Sequence, residues 1–186
     1  MNKSLKHLVY FVCLYILMLS GTVFSANERF RSISTGDWNS TGTWEMSTNN
    51  GGTWIPATST PSDTSGLINV RNPNIVTITA DVSSDQLTVE NGGTLSINAD
   101  IILTILDGSG TDLTLLSGAI VTGDGTVKTQ GANLVVNIDV NSIFNADLVV
   151  SSGNTMLLDP GSPFTSTIGG NITIDNGASL EGGAGG

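Results

Sequence analysis

The sequence predicts an all-β solenoid, a stack of coils built from short strands, and three observations lead to that fold class. First, segments 76–79, 87–89, 95–97, 101–106, 113–116, 134–138, 148–150 and 172–174 are brief aliphatic and β-branched runs. Turn signals punctuate them, as in Asn91-Gly92-Gly93, Asp107-Gly108, Gly123-Asp124-Gly125 and Asn176-Gly177. Second, a nine-residue pattern recurs as LTVENGGTL from Leu87, LTLLSGAIV from Leu113, LVVSSGNTM from Leu148 and ITIDNGASL from Ile172. Third, no stretch has helical periodicity. The copies start 26, 35 and 24 residues apart, and a partial copy from Leu134 divides the long interval. Periods of that size belong to solenoids, whose coils bury their inner side chains only by stacking. A β-sandwich is the alternative architecture. The scarcity of aromatics after residue 75, only Phe144 and Phe164, suits narrow coils better.

Taken in order, residues 1–25 read as a signal peptide. Lys3 and Lys6 form a basic start, an apolar run extends from Leu8 to Leu19, and Val23 and Ser25 occupy the positions a signal peptidase reads. The apolar run falls short of the about 20 residues of a spanning helix, so no membrane span is expected after cleavage. Cys13 lacks the small preceding residues of a lipobox and reads as an apolar filler. Residues 26–75, rich in Ser, Thr, Asn and Gly, hold Trp38, Trp44 and Trp54 and read as an N-terminal Trp-rich cap. Residues 76–180 are the repeats and 181–186 a glycine-rich tail.

Within each copy, alternation turns Leu87 and Val89, Leu113 and Leu115, Leu148 and Val150, and Ile172 and Ile174 inward. Thr88, Thr114, Val149 and Thr173 turn outward. The glycine at the sixth place (Gly92, Gly118, Gly153, Gly177) fits a left-handed corner.

Composition excludes several chemistries. The sole Cys and the sole His, Cys13 and His7, fall inside the signal. The chain after Ser25 keeps four bases against sixteen acids, a formal charge of −12, with no thiol and no imidazole. Nucleic acid is not an expected partner, because phosphate binding needs a basic stripe.

The segments GDWNSTGTWE (36–45), Pro61-Ser62-Asp63, VTIT (76–79) and DQLTVENGGTLSI (85–97) together resemble the start of secreted right-handed parallel β-helix surface proteins of Gram-negative bacteria. The likeness extends to the pectin-lyase-like fold and, in the N-terminal region, to the eight-glycine domain family. It spans roughly residues 34–180 and implies a right-handed parallel β-helix, a cell-surface setting, and contact with extracellular polysaccharide or other surface components. It does not imply an activity, because this fold hosts lyases, hydrolases, adhesins and passive stalks. Many such proteins carry a C-terminal sorting domain, and none is visible before Gly186. The chain is therefore expected to be the N-terminal fragment of a longer one, which the genomic sequence downstream of Gly186 tests.

Lyases of this fold need a Lys or Arg base. Lys128 reads as a solvated surface charge and Arg71 as a turn or surface-pair residue. Glycosidases need two clustered carboxylates, and the acids here are dispersed, so a non-catalytic module is expected. Asp107, Ser109 and Asp112 offer hard oxygens at short spacing, loosely like a Ca²⁺ loop. The terminal bidentate Glu of such loops is missing, and the plainer reading is a turn capped by Asp; no other cofactor is implied. Trp38, Trp44 and Trp54 are candidates for a glycan-stacking platform. The competing reading, preferred here, packs Trp38 and Trp44 over the first coil and leaves Trp54 the most exposed. Outward threonines in register suggest an ice-binding face, but only Thr77 with Thr79 and Thr165 with Thr167 supply two per strand, too few for one.

Mass spectrometry of the exported protein should find Ala26 at its N-terminus; an intact Met1 would remove the export reading.

Overall fold

A computed structural model describes residues 28–139, 141–158 and 167–182. The signal segment 1–25, Val140, Phe164, Thr165 and the tail from Gly183 lie outside the described residues. Among those described, the chain is a parallel β-solenoid with three sheets, here A, B and C, visited in that order by each coil. The opening strands β1 (Arg29–Ser32, sheet A) and β2 (Gly36–Asp37, sheet B) are followed by β3 (Trp44–Ser47) and β4 (Ile55–Pro56). Four complete coils come next: β5 (Leu67–Val70), β6 (Ile75–Ile78) and β7 (Val82–Ser84); β8 (Leu87–Val89), β9 (Thr94–Ile97) and β10 (Ile102–Leu106); β11 (Leu113–Leu115), β12 (Ile120–Thr122) and β13 (Thr126–Gln130); β14 (Asn133–Ile138), β15 (Ile143–Phe144) and β16 (Asp147–Val150). The stack ends with β17 (Thr155–Leu158), β18 (Ile172–Ile174) and β19 (Ser179–Gly182), with Ile168 bridged to Phe144 on sheet B.

Every coil strand pairs in parallel with its counterpart one coil away, so the sandwich alternative does not hold. The register aligns the inward residues into columns. Ile68, Leu87, Leu113 and Val136 form one on sheet A, and Val70, Val89, Leu115 and Ile138 a second. Val76, Leu95, Val121 and Phe144 line sheet B. Leu103, Val127, Leu148 and Ile172 line sheet C. These columns are buried except at the last coil, where the inward Ile172 and Ile174 remain 46% and 47% exposed. Full burial of such a side chain stabilises by about 1.5–3 kcal/mol, so the last coil gains about half of what an inner coil gains.

The recurring nine-residue pattern proves to be a corner and not a coil. Its copies from Leu87 and Leu113 turn from sheet A to sheet B, whereas those from Leu148 and Ile172 turn from sheet C to sheet A. In all four, four residues join the strands and the third is a glycine with φ between +76° and +83°. The corner from β14 to β15 has the same length, with Asn141 in that place at φ +61°. A left-handed residue reverses the chain in four residues, and glycine or asparagine tolerates it best.

The segment after β2 departs from the repeat. Parallel pairing begins earlier than the change of composition at residue 76, since β1 pairs with β5 and β2 with β6. Beyond β1, sheet A continues with antiparallel β3 and then β4, whose Pro56 lacks an N–H and suits an edge. Trp38 and Trp44 turn into the core at this end. Their ring centroids lie 5.3 Å apart at 77°, an edge-to-face contact worth about 0.5–1.5 kcal/mol beyond area burial. Each indole N–H is satisfied, Trp44 donating to Trp38 O at 2.9 Å and Trp38 to Pro61 O at 3.1 Å.

Leu115→Ala should lower unfolding free energy by about 2–5 kcal/mol, whereas Thr114→Ala, one residue away and outward, should change it by about 0.5 kcal/mol or less. Denaturant titration checks both, and equal losses would contradict the inward and outward assignment.

Candidate functional site

The corner from sheet C to sheet A gathers the acidic residues singled out in the sequence. It joins β7 to β8 through Asp85 and Gln86, β10 to β11 through residues 107–112, and β13 to β14 through Gly131 and Ala132. Asp107 turns its Oδ2 to the backbone amides of Ala132 and Asn133, both at 3.0 Å. Asp112, fully buried, accepts from the Gly108 amide at 2.9 Å and the Val135 amide at 2.7 Å. Ser109 contributes its carbonyl, which accepts from the Gln86 side chain. The segment has the turn capped by Asp that was its plainer reading, with Asp112 accepting from Gly108 within the loop, and both carboxylates also bond backbone amides one coil along. Among the described residues no group of three or more His, Cys, Asp or Glu is placed to hold a metal ion.

The same use of aspartate recurs elsewhere. Asp81 accepts from the Ile102 amide at 2.9 Å, and Asp147 from the Asn171 amide at 2.8 Å, again one coil away. Hydrogen bonds from amides to an ionised carboxylate are worth more than neutral ones, about 1.5–3 kcal/mol, so these aspartates act as staples between coils. No spacing rule in the sequence announces these staples, because each amide they reach in the next coil lies 21–26 residues away.

Asp85 is the exception. Its Oδ1 is buried without a hydrogen-bond partner, and it sits so close to Gly108 that a Cβ there would collide with it. Desolvation first, then the charges of Asp112 and Asp107, raise its pKa above the ordinary carboxylate value. Desolvation also raises Asp112, against the lowering effect of the Gly108 and Val135 amides. Beside Asp85 opens a cleft of about 290 Å³ lined by Asp63, Thr64, Ser65, Gly66, Asp85, Gln86 and Ser109. The lining offers carboxylates, hydroxyls and one amide, and no cation or aromatic ring.

The tryptophans separate. Trp38 and Trp44 are wholly buried, which leaves neither a ring face for a sugar. Trp54 is half-buried at the end of the hairpin between β3 and β4. The Arg31 guanidinium lies over its ring, 4.2 Å from the centroid, and is held at 2.6 Å by Glu45. Of the bases weighed as a lyase base, Arg71 lies 4.0 Å from Glu90 across a half-exposed surface pair, and Lys128 points outward from sheet C.

Fold and site define a parallel β-solenoid whose corner acids bind its own backbone. No protein family, curated protein or solved structure matches the chain. What the structure shares with the resemblance read from the sequence is the parallel β-helix fold.

The raised Asp85 pKa has a pH signature. Between the ordinary carboxylate pKa of about 4 and the raised native value, the unfolded chain has lost this proton while the native protein retains it. Raising the pH through the native value therefore removes stability. Asp85→Asn should melt higher than the parent protein at pH 7, and the gap should close as the pH falls to about 4. Thermal melts across that range test it, and a gap independent of pH would exclude the charge as its cause.

Proposed function

We propose that the chain is an exported, non-catalytic β-solenoid module of a cell-surface or adhesin-like protein. One observation carries this reading: Asp107 and Asp112, the acids weighed for a metal site, accept from backbone amides of the next coil, as do Asp81 and Asp147. A carboxylate so engaged holds coils together and is a poor general acid or base, because its oxygens are already directed at the amides and away from any substrate. The basic, apolar and small residues of the first twenty-five positions support export. A solenoid in turn supplies a spacer of fixed length, roughly 4.8 Å per coil along its axis.

A second reading is favoured by Trp54. Its half-exposed ring, stacked on Arg31 beside Glu45, combines an apolar face with planar hydrogen-bonding groups, which is the chemistry of sugar recognition. In this reading the module contacts extracellular polysaccharide, and functional coils of a carbohydrate-active protein lie beyond Gly186.

Two measurements separate the readings. Purified protein incubated with polyuronates should release no unsaturated sugars, and release would overturn the non-catalytic reading. Binding on a glycan array that disappears in Trp54→Ala would establish recognition through the hairpin, whereas no binding by the parent protein leaves the structural role.

A further inference from the structure

An asparagine followed by glycine is open to attack by the glycine's own backbone nitrogen, because glycine has no side chain to hinder the approach. The sequence holds three such pairs, Asn50-Gly51, Asn91-Gly92 and Asn176-Gly177, and all three asparagines are exposed. The last two stand in matched corners. Each pair occupies the middle of a four-residue turn, closed by Gly93 N–H to Glu90 O at 2.8 Å in one and by Ala178 N–H to Asp175 O at 3.0 Å in the other. Each glycine has φ +76°. What differs is the glycine amide. Gly92 N–H donates to Gly118 O, one coil along, at 3.1 Å, and the Asn91 side chain lies against Gly118. Gly51 N–H donates to Ser47 Oγ at 2.9 Å. Gly177 N–H has no acceptor among the described residues, and a Cβ placed on Gly177 would meet nothing within 4 Å.

We infer that Asn176 is a site of spontaneous deamidation in the folded protein, and that Asn50 and Asn91 are protected from it. In the reaction the Gly177 nitrogen loses its proton and bonds to Asn176 Cγ, the Cγ–Nδ2 bond breaks, and the proton leaves with Nδ2 as ammonia. A five-membered succinimide remains. Water then adds across one of its two carbonyl–nitrogen bonds, giving aspartate or isoaspartate. No oxidant and no enzyme is required. A hydrogen-bonded glycine amide keeps its proton and has its peptide plane fixed, so its bond must break before the ring can close; one such bond commands a factor of roughly two to ten in rate. Gly177 has none to break among the described residues. The inward Ile172 and Ile174 of its coil are 46% and 47% exposed, so this coil is held less firmly than those inside and opens more readily. The product places a new carboxylate beside Asp175, and isoaspartate adds one backbone carbon to the corner between β18 and β19. That corner therefore loosens as the protein ages.

Peptide mapping by mass spectrometry tests this on purified protein held in mildly alkaline buffer and sampled over weeks. In the native protein, conversion at Asn176 should run roughly two- to tenfold ahead of conversion at Asn91 and Asn50, with isoaspartate among its products. In denaturant, where no amide is held, the three should convert at comparable rates. Asn176→Gln, exposed and slower to close its larger ring, should keep the parent circular dichroism and lose the early acidic species on isoelectric focusing. Native Asn91 converting as fast as Asn176, or the same order of rates persisting in denaturant, would overturn the inference.

Discussion

The structure depends on the requirement that each coil's backbone polar groups find partners in the next coil. A single coil is too narrow to bond across itself, so its N–H and C=O groups point along the axis, and each one left unpaired and buried costs about 1–3 kcal/mol. The ladders of the three sheets satisfy the strands. Backbone bonds such as Gly92 N–H to Gly118 O tie some corners, and aspartates supplement them: Asp81, Asp107, Asp112 and Asp147 accept from amides at or near the starts of strands one coil along. This use of acids gives part of the acidic composition a structural cause. Asp85 marks its limit, since a half-buried carboxylate near Asp107 and Asp112, with its buried Oδ1 unpaired, holds its proton more tightly than usual.

Much of the fold was legible in the sequence; β5, with Ile68 and Val70 inward, was missed because it lay in the segment read as a cap, and several other missed strands share a different physical reason. Strands with two inward aliphatics, such as β8 and β11, announce themselves by alternation. Strands whose inward places hold a hydroxyl do not: β7 turns Ser84 inward and β13 turns Thr129 inward, and both escape a reading based on apolar periodicity. Ser32 in β1 is similar, its buried Oγ accepting from the Arg71 amide and the Asn74 side chain to tie the opening coil to the next. The glycine corners were placed correctly, but their phase was not. A corner of four residues with a left-handed third place solves the same local problem between any two sheets, so the pattern marks a turn without saying which.

The candidate sites were legible only in part. Indole rings near the start of the chain could pack or bind, and burial separates them: Trp38 and Trp44 close the core where sheet A turns antiparallel, while Trp54 rests on Arg31 outside. Their spacing gives no hint of this, because what buries Trp44 is its inward place on β3, paired to β1. Nor does the short spacing of Asp107 and Asp112 reveal their partners, which come from the coil beyond. A local loop pattern looks the same whether its oxygens face a cation or an amide.

Corner lengths carry a further consequence. From β5 to β15 every passage from sheet A to sheet B takes four residues, whereas passages from sheet C to sheet A range from two, after β7 and β13, to six, after β10. Within the four complete coils one edge of the prism thus keeps a constant length and another varies, while beyond β17 the passage to Ile168 is longer. Substitution by longer loops, including foreign peptides, should be absorbed along the C-to-A edge without changing coil pitch, as insertions in solenoids collect on one side. Within those coils the molecule has a spine of constant corner length and a variable margin, and an engineer would diversify the margin.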